Sequence, residues 1–184
     1  MVTRNGTIKR TALSAYRNVR KGGIIAINLE EGDELAWVRN TTGEDDLIIA
    51  TRQGVAIRFA ESDVRPMGRT ATGVRAIRLD EGDEVIAMAT CEEGGYLLTV
   101  TENGQGRRTP LGEYRTQNRG GRGVAGMTQK DNDFTEELFV GSTHDYMLFM
   151  TDKGRVYRLK GYQVAEGSRT AKGSHIANLL QLQE

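Results

Sequence analysis

Cysteine and aromatic residues are scarce in this chain, long apolar runs are missing, and neither charge sign prevails. The single cysteine, Cys91, among 184 residues excludes an internal disulfide and a cysteine-based metal site, and it fits an intracellular reducing compartment. Aromatic residues at 6% argue against base stacking of the kind that single-strand binders use. Lys plus Arg number 25 and Asp plus Glu number 25, so the overall balance exerts no pull toward nucleic acid, membrane or acidic substrate. Any electrostatic function must come from segregating the two signs. No apolar stretch is long enough to cross a bilayer, and the opening Met1-Val2-Thr3-Arg4-Asn5-Gly6 carries no signal-peptide core. The expected location is the cytoplasm, with no membrane partner.

What is abundant is repetition. Thr3-Arg4-Asn5-Gly6, Thr51-Arg52-Gln53-Gly54, Thr101-Glu102-Asn103-Gly104 and Thr151-Asp152-Lys153-Gly154 share Thr-x-x-Gly, followed four residues on by Arg10, Arg58, Arg108 and Arg158. The glycines step by 48, 50 and 50 residues, and a second series, Gly23, Gly73, Gly123 and Gly173, keeps the register. A period in this range signals blade or solenoid repeats. Within a unit the runs are β-rich and short: Leu47–Ala50 and Val55–Phe59 flank a tight glycine turn, and a further strand such as Ile24–Ile27 or Val74–Ile77 precedes an acidic turn, Glu30–Glu34 or Asp80–Glu84, and another strand. About four strands per repeat make an all-β, propeller-like domain over 1–184, with repeats near 1–49, 50–99, 100–149 and 150–184. The fourth repeat is incomplete, leaving either a ring closed by the N-terminal segment or an open arc whose unpaired edges invite self-association.

Aligning the loops before the second glycine collects a basic series: Arg17, Arg20 and Lys21; Arg65 and Arg69; Arg115, Arg119 and Arg122; Arg169 and Lys172. Equivalent loops around an axis fall on one rim, so the series predicts a belt suited to nucleic-acid phosphates, with the acidic turns on another face. The third loop, Gln117-Asn118-Arg119-Gly120-Gly121-Arg122-Gly123, stands out because two guanidinium groups lie among three glycines. Arg119 and Arg122 are expected to hold phosphates, and Gly120, Gly121 and Gly123 to let the backbone approach the strand.

Gln117–Gly123, together with Gly22–Leu29, Glu61–Arg69, Thr99–Gly104 and Gly154–Lys160, resembles the C-terminal DNA-wrapping domain of bacterial DNA gyrase A, and the likeness covers essentially the whole chain. The resemblance implies a β-pinwheel, a disc of four-stranded blades that exchange strands with their neighbours, wrapping double-stranded DNA with little sequence preference and working within the gyrase complex. It implies no catalytic residue and no cofactor in this chain. Two departures stand out. Asn118 removes a cation the box usually carries, and two units precede a box that the family places in or before its first blade, while Thr143–Leu182 resembles that first blade. A truncated, permuted or engineered pinwheel is the expectation. The competing reading is a propeller-type protein-interaction scaffold with weak or no DNA wrapping.

Other motifs carry less. Gly121–Gly126 matches G-x-G-x-x-G but lacks the leading strand and following helix of a dinucleotide site. Asp131, Asn132, Asp133 and Glu137 hint at a calcium loop whose required glycine is Glu136. His144 and His175 are isolated from each other and from Cys91, and no nucleophile, carboxylate pair or phosphate-binding loop forms a catalytic set. No metal site is expected.

Overall fold

A computed structural model describes residues 1–129 and 132–180. Strands follow in chain order as β1 (Val2–Thr3), β2 (Thr7–Ile8), β3 (Leu35–Trp37), β4 (Asp46–Thr51), β5 (Val55–Ala60), β6 (Val74–Arg75) and β7 (Val85–Cys91). They continue as β8 (Tyr96–Thr101), β9 (Gln105–Pro110), β10 (Val124–Ala125), β11 (Thr135–Gly141), β12 (Tyr146–Met150), β13 (Val156–Lys160) and β14 (Ser174–His175). Among the described residues only short 3-10 turns punctuate them, and no helix is long and apolar enough to cross a membrane.

Each repeat is built on a hairpin, β1–β2, β4–β5, β8–β9 or β12–β13, turned by Thr-x-x-Gly. The reason for that motif is local. The threonine hydroxyl accepts the N–H four residues on, at Thr7, Val55, Gln105 and Arg155 (3.1, 3.3, 3.1 and 3.2 Å). The glycine adopts φ between +75 and +82°, a left-handed turn conformation that costs a residue bearing Cβ roughly 1–2 kcal/mol. An aspartate from the acidic turn then caps the motif: Asp33, Asp83 and Asp133 accept the N–H groups of Asn5, Gln53 and Asn103 (3.0, 2.9 and 3.1 Å). Thus the acidic turns sit against the Thr-x-x-Gly ends of the hairpins.

The hairpins do not complete their own sheets. The orders are β3-β1-β2-β6, β7-β4-β5-β10 and β11-β8-β9-β14, so the last strand of each of the first three sheets comes from the following repeat. The register repeats without change: Thr7 faces Arg75, Val55 faces Ala125, and Gln105 faces His175. A main-chain bond fixes each pairing, from Ala76, Gly126 and Ile176 N–H to the carbonyls of Gly6, Gly54 and Gly104 (2.8, 2.7 and 2.8 Å). The strand exchange implied by the resemblance is therefore present at three junctions.

The last repeat is incomplete, as expected, and one strand expectation needs correction. The fourth blade holds only β12 and β13, because β14, which follows in the chain, is used by the third sheet. Ile24–Ile27, expected as a strand by analogy with Val74–Ile77, forms none, since no hairpin among the described residues pairs with it. Among the described residues β13 pairs with β12 alone, so the arc is open.

Packing follows the exchange, and each core spans two repeats. Strand β4 shows how: Leu47 and Ile49 point into a cluster with Val2, Ile8, Val64 and Ile77, while Ile48 and Ala50 point into the next, with Leu97, Leu111 and Tyr114. A strand buried on both faces reads as the unbroken apolar run Leu47–Ala50. A smaller third cluster joins Leu98 to Val164 and Ile176.

Candidate nucleic-acid interface

The basic loops lie at the junctions between repeats, and the same bonds recur there. Arg10, Arg58 and Arg108, the register arginines, reach forward across the junction. Arg58 donates to the carbonyls of Leu111 and Tyr114 (3.0 and 3.5 Å), Arg108 donates to Val164 (2.9 Å), and Arg10 binds the Val64 carbonyl. Carboxylates complete them: Glu61 for Arg10 at 3.2 Å, Asp46 for Arg58 at 2.8 Å and Glu166 for Arg108 at 2.6 Å. These arginines fasten repeats together and are not free for a ligand.

A second series reaches backward. Arg69 donates to the Ile25 carbonyl at 3.0 Å and Arg169 to that of Ala125 at 2.8 Å, while Arg119 binds the Arg75 carbonyl and, at 3.1 Å, that of Asp63. Each holds the strand-exchange segment of the preceding repeat. By sequence these three group with the phosphate ligands; the structure gives part of each guanidinium to protein carbonyls.

The glycine-rich box differs from its counterparts in what lies beneath it. Under the second repeat's loop the ammonium of Lys9, a buried residue, binds the Ala26 carbonyl at 2.6 Å and also that of Arg69. Under the fourth repeat's loop the buried guanidinium of Arg107 binds the carbonyl of Arg169 at 3.0 Å and those of Gly126 and Ala171. Burial lowers the pKa of both groups, and the charge of Arg69 adds to the effect at Lys9. The corresponding residue below the box is Ile57, buried and apolar. Here the main chain takes over: Gly120 N–H donates to the Ala76 carbonyl at 2.7 Å, and Arg78 N–H donates to the Gly121 carbonyl at 2.8 Å.

This explains the glycines. Gly120 has φ +80°, and a Cβ on Gly123 would stand 2.7 Å from the Ala56 carbonyl oxygen and 2.8 Å from Val55 Cγ1. Both serve close contact with the preceding repeat, where their pattern in the sequence suggests room for a phosphate strand. Gly121 is under less pressure, its nearest neighbours standing at 3.4 Å or beyond. The main chain of Gln117 is likewise engaged, its N–H on the Arg58 carbonyl at 2.8 Å, and its side-chain amide nitrogen is buried without a partner among the described residues.

The exposed members are Arg17, Arg20, Lys21, Arg65, Arg115, Arg122 and Lys172. Arg122 is the freest cation of the box, with 69% of its side chain exposed and a loose 3.7 Å contact to Asp80, an exposed pairing of little energetic weight. The acidic turn of one repeat therefore lies near the basic loop of the next, so segregation of the signs is incomplete at this point. Three aromatic rings carry a cation: Arg52 lies over Phe134, Arg108 over Tyr96, and Arg158 over Tyr146. Nothing in the sequence marks Lys9 and Arg107, because one follows a strand and the other lies on one, each a residue before a register arginine, where a cation resembles a solvated face.

The remaining candidates are accounted for locally. Asp133 is buried and bonded to Thr101 Oγ1 at 2.7 Å as well as to its turn, and Asp131 lies outside the described residues. His175 accepts the N–H of Ala177, and His144 meets Tyr162 edge to face. Burial pushes the Cys91 thiol up to about 11, which makes it a weak nucleophile at neutral pH.

Strand exchange at a constant register, with a basic loop at every junction, defines an open propeller of the pinwheel class. The chain matches the family model described as "DNA gyrase C-terminal domain, beta-propeller" over residues 1–42, 45–92, 95–140 and 145–181. It belongs to that family. The DNA gyrase A protein of Halalkalibacterium halodurans is 62% identical over 73 residues, and that of Clostridium acetobutylicum 58% over 74; each alignment covers 40% of this chain and 9% of the relative. The solved C-terminal domain of a DNA topoisomerase IV superposes with TM-score 0.88 at 27% identity, covering 95% of this chain and 55% of that one. A DNA gyrase A C-terminal domain gives 0.84 at 26%, covering 95% and 59%. The chain thus spans little more than half of the solved domains it resembles.

Proposed function

We propose that this chain is a non-catalytic module that binds and wraps duplex DNA for a type IIA topoisomerase, in the cytoplasm and beside the other parts of a gyrase. The observation that carries the reading is the recurrence of exposed cations at equivalent loops: Arg17, Arg20 and Lys21, then Arg65, then Arg115 and Arg122, then Lys172. Phosphate contacts of this kind position a duplex without reading its sequence. Membership of the gyrase family supports the assignment, and the scarcity of aromatic residues, 6% of the chain, favours duplex over single strands.

Each cation that neutralises a phosphate releases counterions, so log affinity should fall against log salt with a slope of about −0.9 per contact. Bending a short duplex around the rim costs on the order of 1–6 kcal/mol, which several such contacts offset. The half-engaged Arg69, Arg119 and Arg169 set the loops in place, and the exposed cations do the binding. The unpaired edges of the arc leave the module able to self-associate.

The test is a mobility-shift titration at two salt concentrations, paired with relaxation of plasmid in the presence of the protein. Steeply salt-dependent retention and a shift in linking number are expected. Weak retention that ignores salt, with no shift in linking number, would replace this reading with a protein-interaction scaffold.

A further inference from the structure

We infer that the glycine-rich box is half of a phosphate-binding site, and that Arg75 and Arg78, on the exchange segment of the preceding repeat, supply the other half. The inference rests on the duplex-binding function proposed above and assigns it two cations that lie outside the basic loops.

The box and the exchange segment lie side by side. Gly120 N–H donates to the Ala76 carbonyl at 2.7 Å and Arg78 N–H to the Gly121 carbonyl at 2.8 Å, while Arg119 holds the carbonyl of Arg75 itself. One residue further along each segment, Arg122 comes within 3.7 Å of Asp80. A Cβ on Gly120 would stand 4.0 Å from Arg75 Cβ, so the two side-chain positions are immediate neighbours. What Arg75 and Arg78 present is therefore presented beside the box.

Packing decides which way they face. Ala76 and Ile77 are 0% and 1% exposed and belong to the core between the first two repeats, and the arginines that flank them are both exposed. The main chain of each arginine is engaged at the junction, but among the described residues neither guanidinium carries a hydrogen bond or an ion pair. They do not fasten the repeats, as Arg58 and Arg119 do. Their planar forks are left for an external anion, and phosphate oxygens match that geometry.

Position in the repeat separates them from ordinary solvated charges. The counterparts of Arg75 are Ile25, Ala125 and His175, and those of Arg78 are Asn28, Thr128 and Asn178. Of the four exchange segments, the one against the box alone has arginine at either place. With Arg115 and Arg122 they bring four exposed arginines to this junction, against Arg65 in the second repeat's loop and Lys172 in the fourth's. Asp80 works against them, because a phosphate that binds Arg122 must displace its carboxylate.

Retention of a short duplex by the whole chain, measured across salt concentrations, tests the site. Arg75→Ala combined with Arg78→Ala should flatten the log–log salt dependence by about 0.9 for each residue, with an unfolding midpoint like the parent's because both side chains are exposed. Arg39→Ala combined with Arg155→Ala removes the same charge from exposed positions outside the basic loops, and should keep the parent's slope. Asp80→Asn should bind about two- to fivefold more tightly at low salt, a gain that damage to the fold would not produce. A parent-like slope in the first pair, equal flattening in the second, or no gain from Asp80→Asn would each overturn the inference while leaving duplex binding in place. A parent whose retention ignores salt would instead remove the proposed function, and this site with it.

Discussion

The junction closed by the glycine-rich box and the junction closed by Arg107 perform one task with opposite chemistry. Both must satisfy the carbonyl three residues after the second glycine, Ala76 in one case and Gly126 in the other. At the box a backbone N–H from Gly120 comes within 2.7 Å of it, over the apolar Ile57. At the other a buried guanidinium fills the space and donates to it in place of a loop N–H. Gly167 shows the exchange of volume: a Cβ there would lie 2.8 Å from Arg107 Cδ. The lesson is that a motif with the composition of an anion-binding loop owes part of that composition to the contact between blades. On the function proposed above, its contribution to DNA binding would concentrate in the residue left exposed, Arg122.

The largest effect comes from making the second junction imitate the first without its glycines. Arg107→Ile would leave the partly buried carbonyls of Ala171 and Arg169 without this donor and that of Gly126 with the Tyr114 hydroxyl alone, at roughly 1–3 kcal/mol for each group left unpaired. A loss of about 4 kcal/mol in denaturant unfolding is expected. Arg107→Lys should recover most of it, since Lys9 already serves the first junction. An Arg107→Ile protein as stable as the parent would show that the buried cation is dispensable and the comparison empty.

Next comes a pair of glycines that share a backbone conformation but not a neighbour. Gly123→Ala and Gly23→Ala both place a side chain at positive φ, +74° and +76°, for roughly 1–2 kcal/mol each. Only the first drives a methyl group into the Ala56 carbonyl, adding an overpacking cost of roughly 1–3 kcal/mol. Unfolding midpoints at low protein concentration, where each molecule stands alone, should rank Gly123→Ala well below Gly23→Ala. Equal losses would mean that the box glycines answer to φ alone and not to the preceding repeat.

Sequence was informative wherever the period carried the signal. Thr-x-x-Gly, the register arginines and the alternating β-runs located the hairpins, because their causes lie within a few residues of one another. It was weaker where a residue's partner is a repeat away. Ile24–Ile27 reads like Val74–Ile77, yet only the latter has a hairpin to join. Arg69, Arg119 and Arg169 read like Arg65, Arg115 and Lys172, and what separates them is a carbonyl 44 residues upstream. Lys9 and Arg107 gave no sign of burial, since the carbonyls that stabilise them lie in other loops.

The smallest effect in stability is the most direct probe of binding, and it sets the two arginines of the box against each other. Arg122→Ala removes an exposed side chain whose only ionic contact among the described residues is the 3.7 Å approach to Asp80, so its stability should stay within about 0.5 kcal/mol of the parent. Its DNA affinity should lose one phosphate contact, flattening the log–log salt dependence by about 0.9. Arg119→Ala removes the ties to Asp63 and Arg75 and should cost about 1–2 kcal/mol of folding stability, with a smaller change in slope. Unfolding curves and salt titrations on the two variants separate the roles, because a residue that positions the loop moves stability first and one that meets phosphate moves the slope first. The reverse ranking would return Arg119 to the place the sequence alone assigned it, as a phosphate ligand beside Arg122.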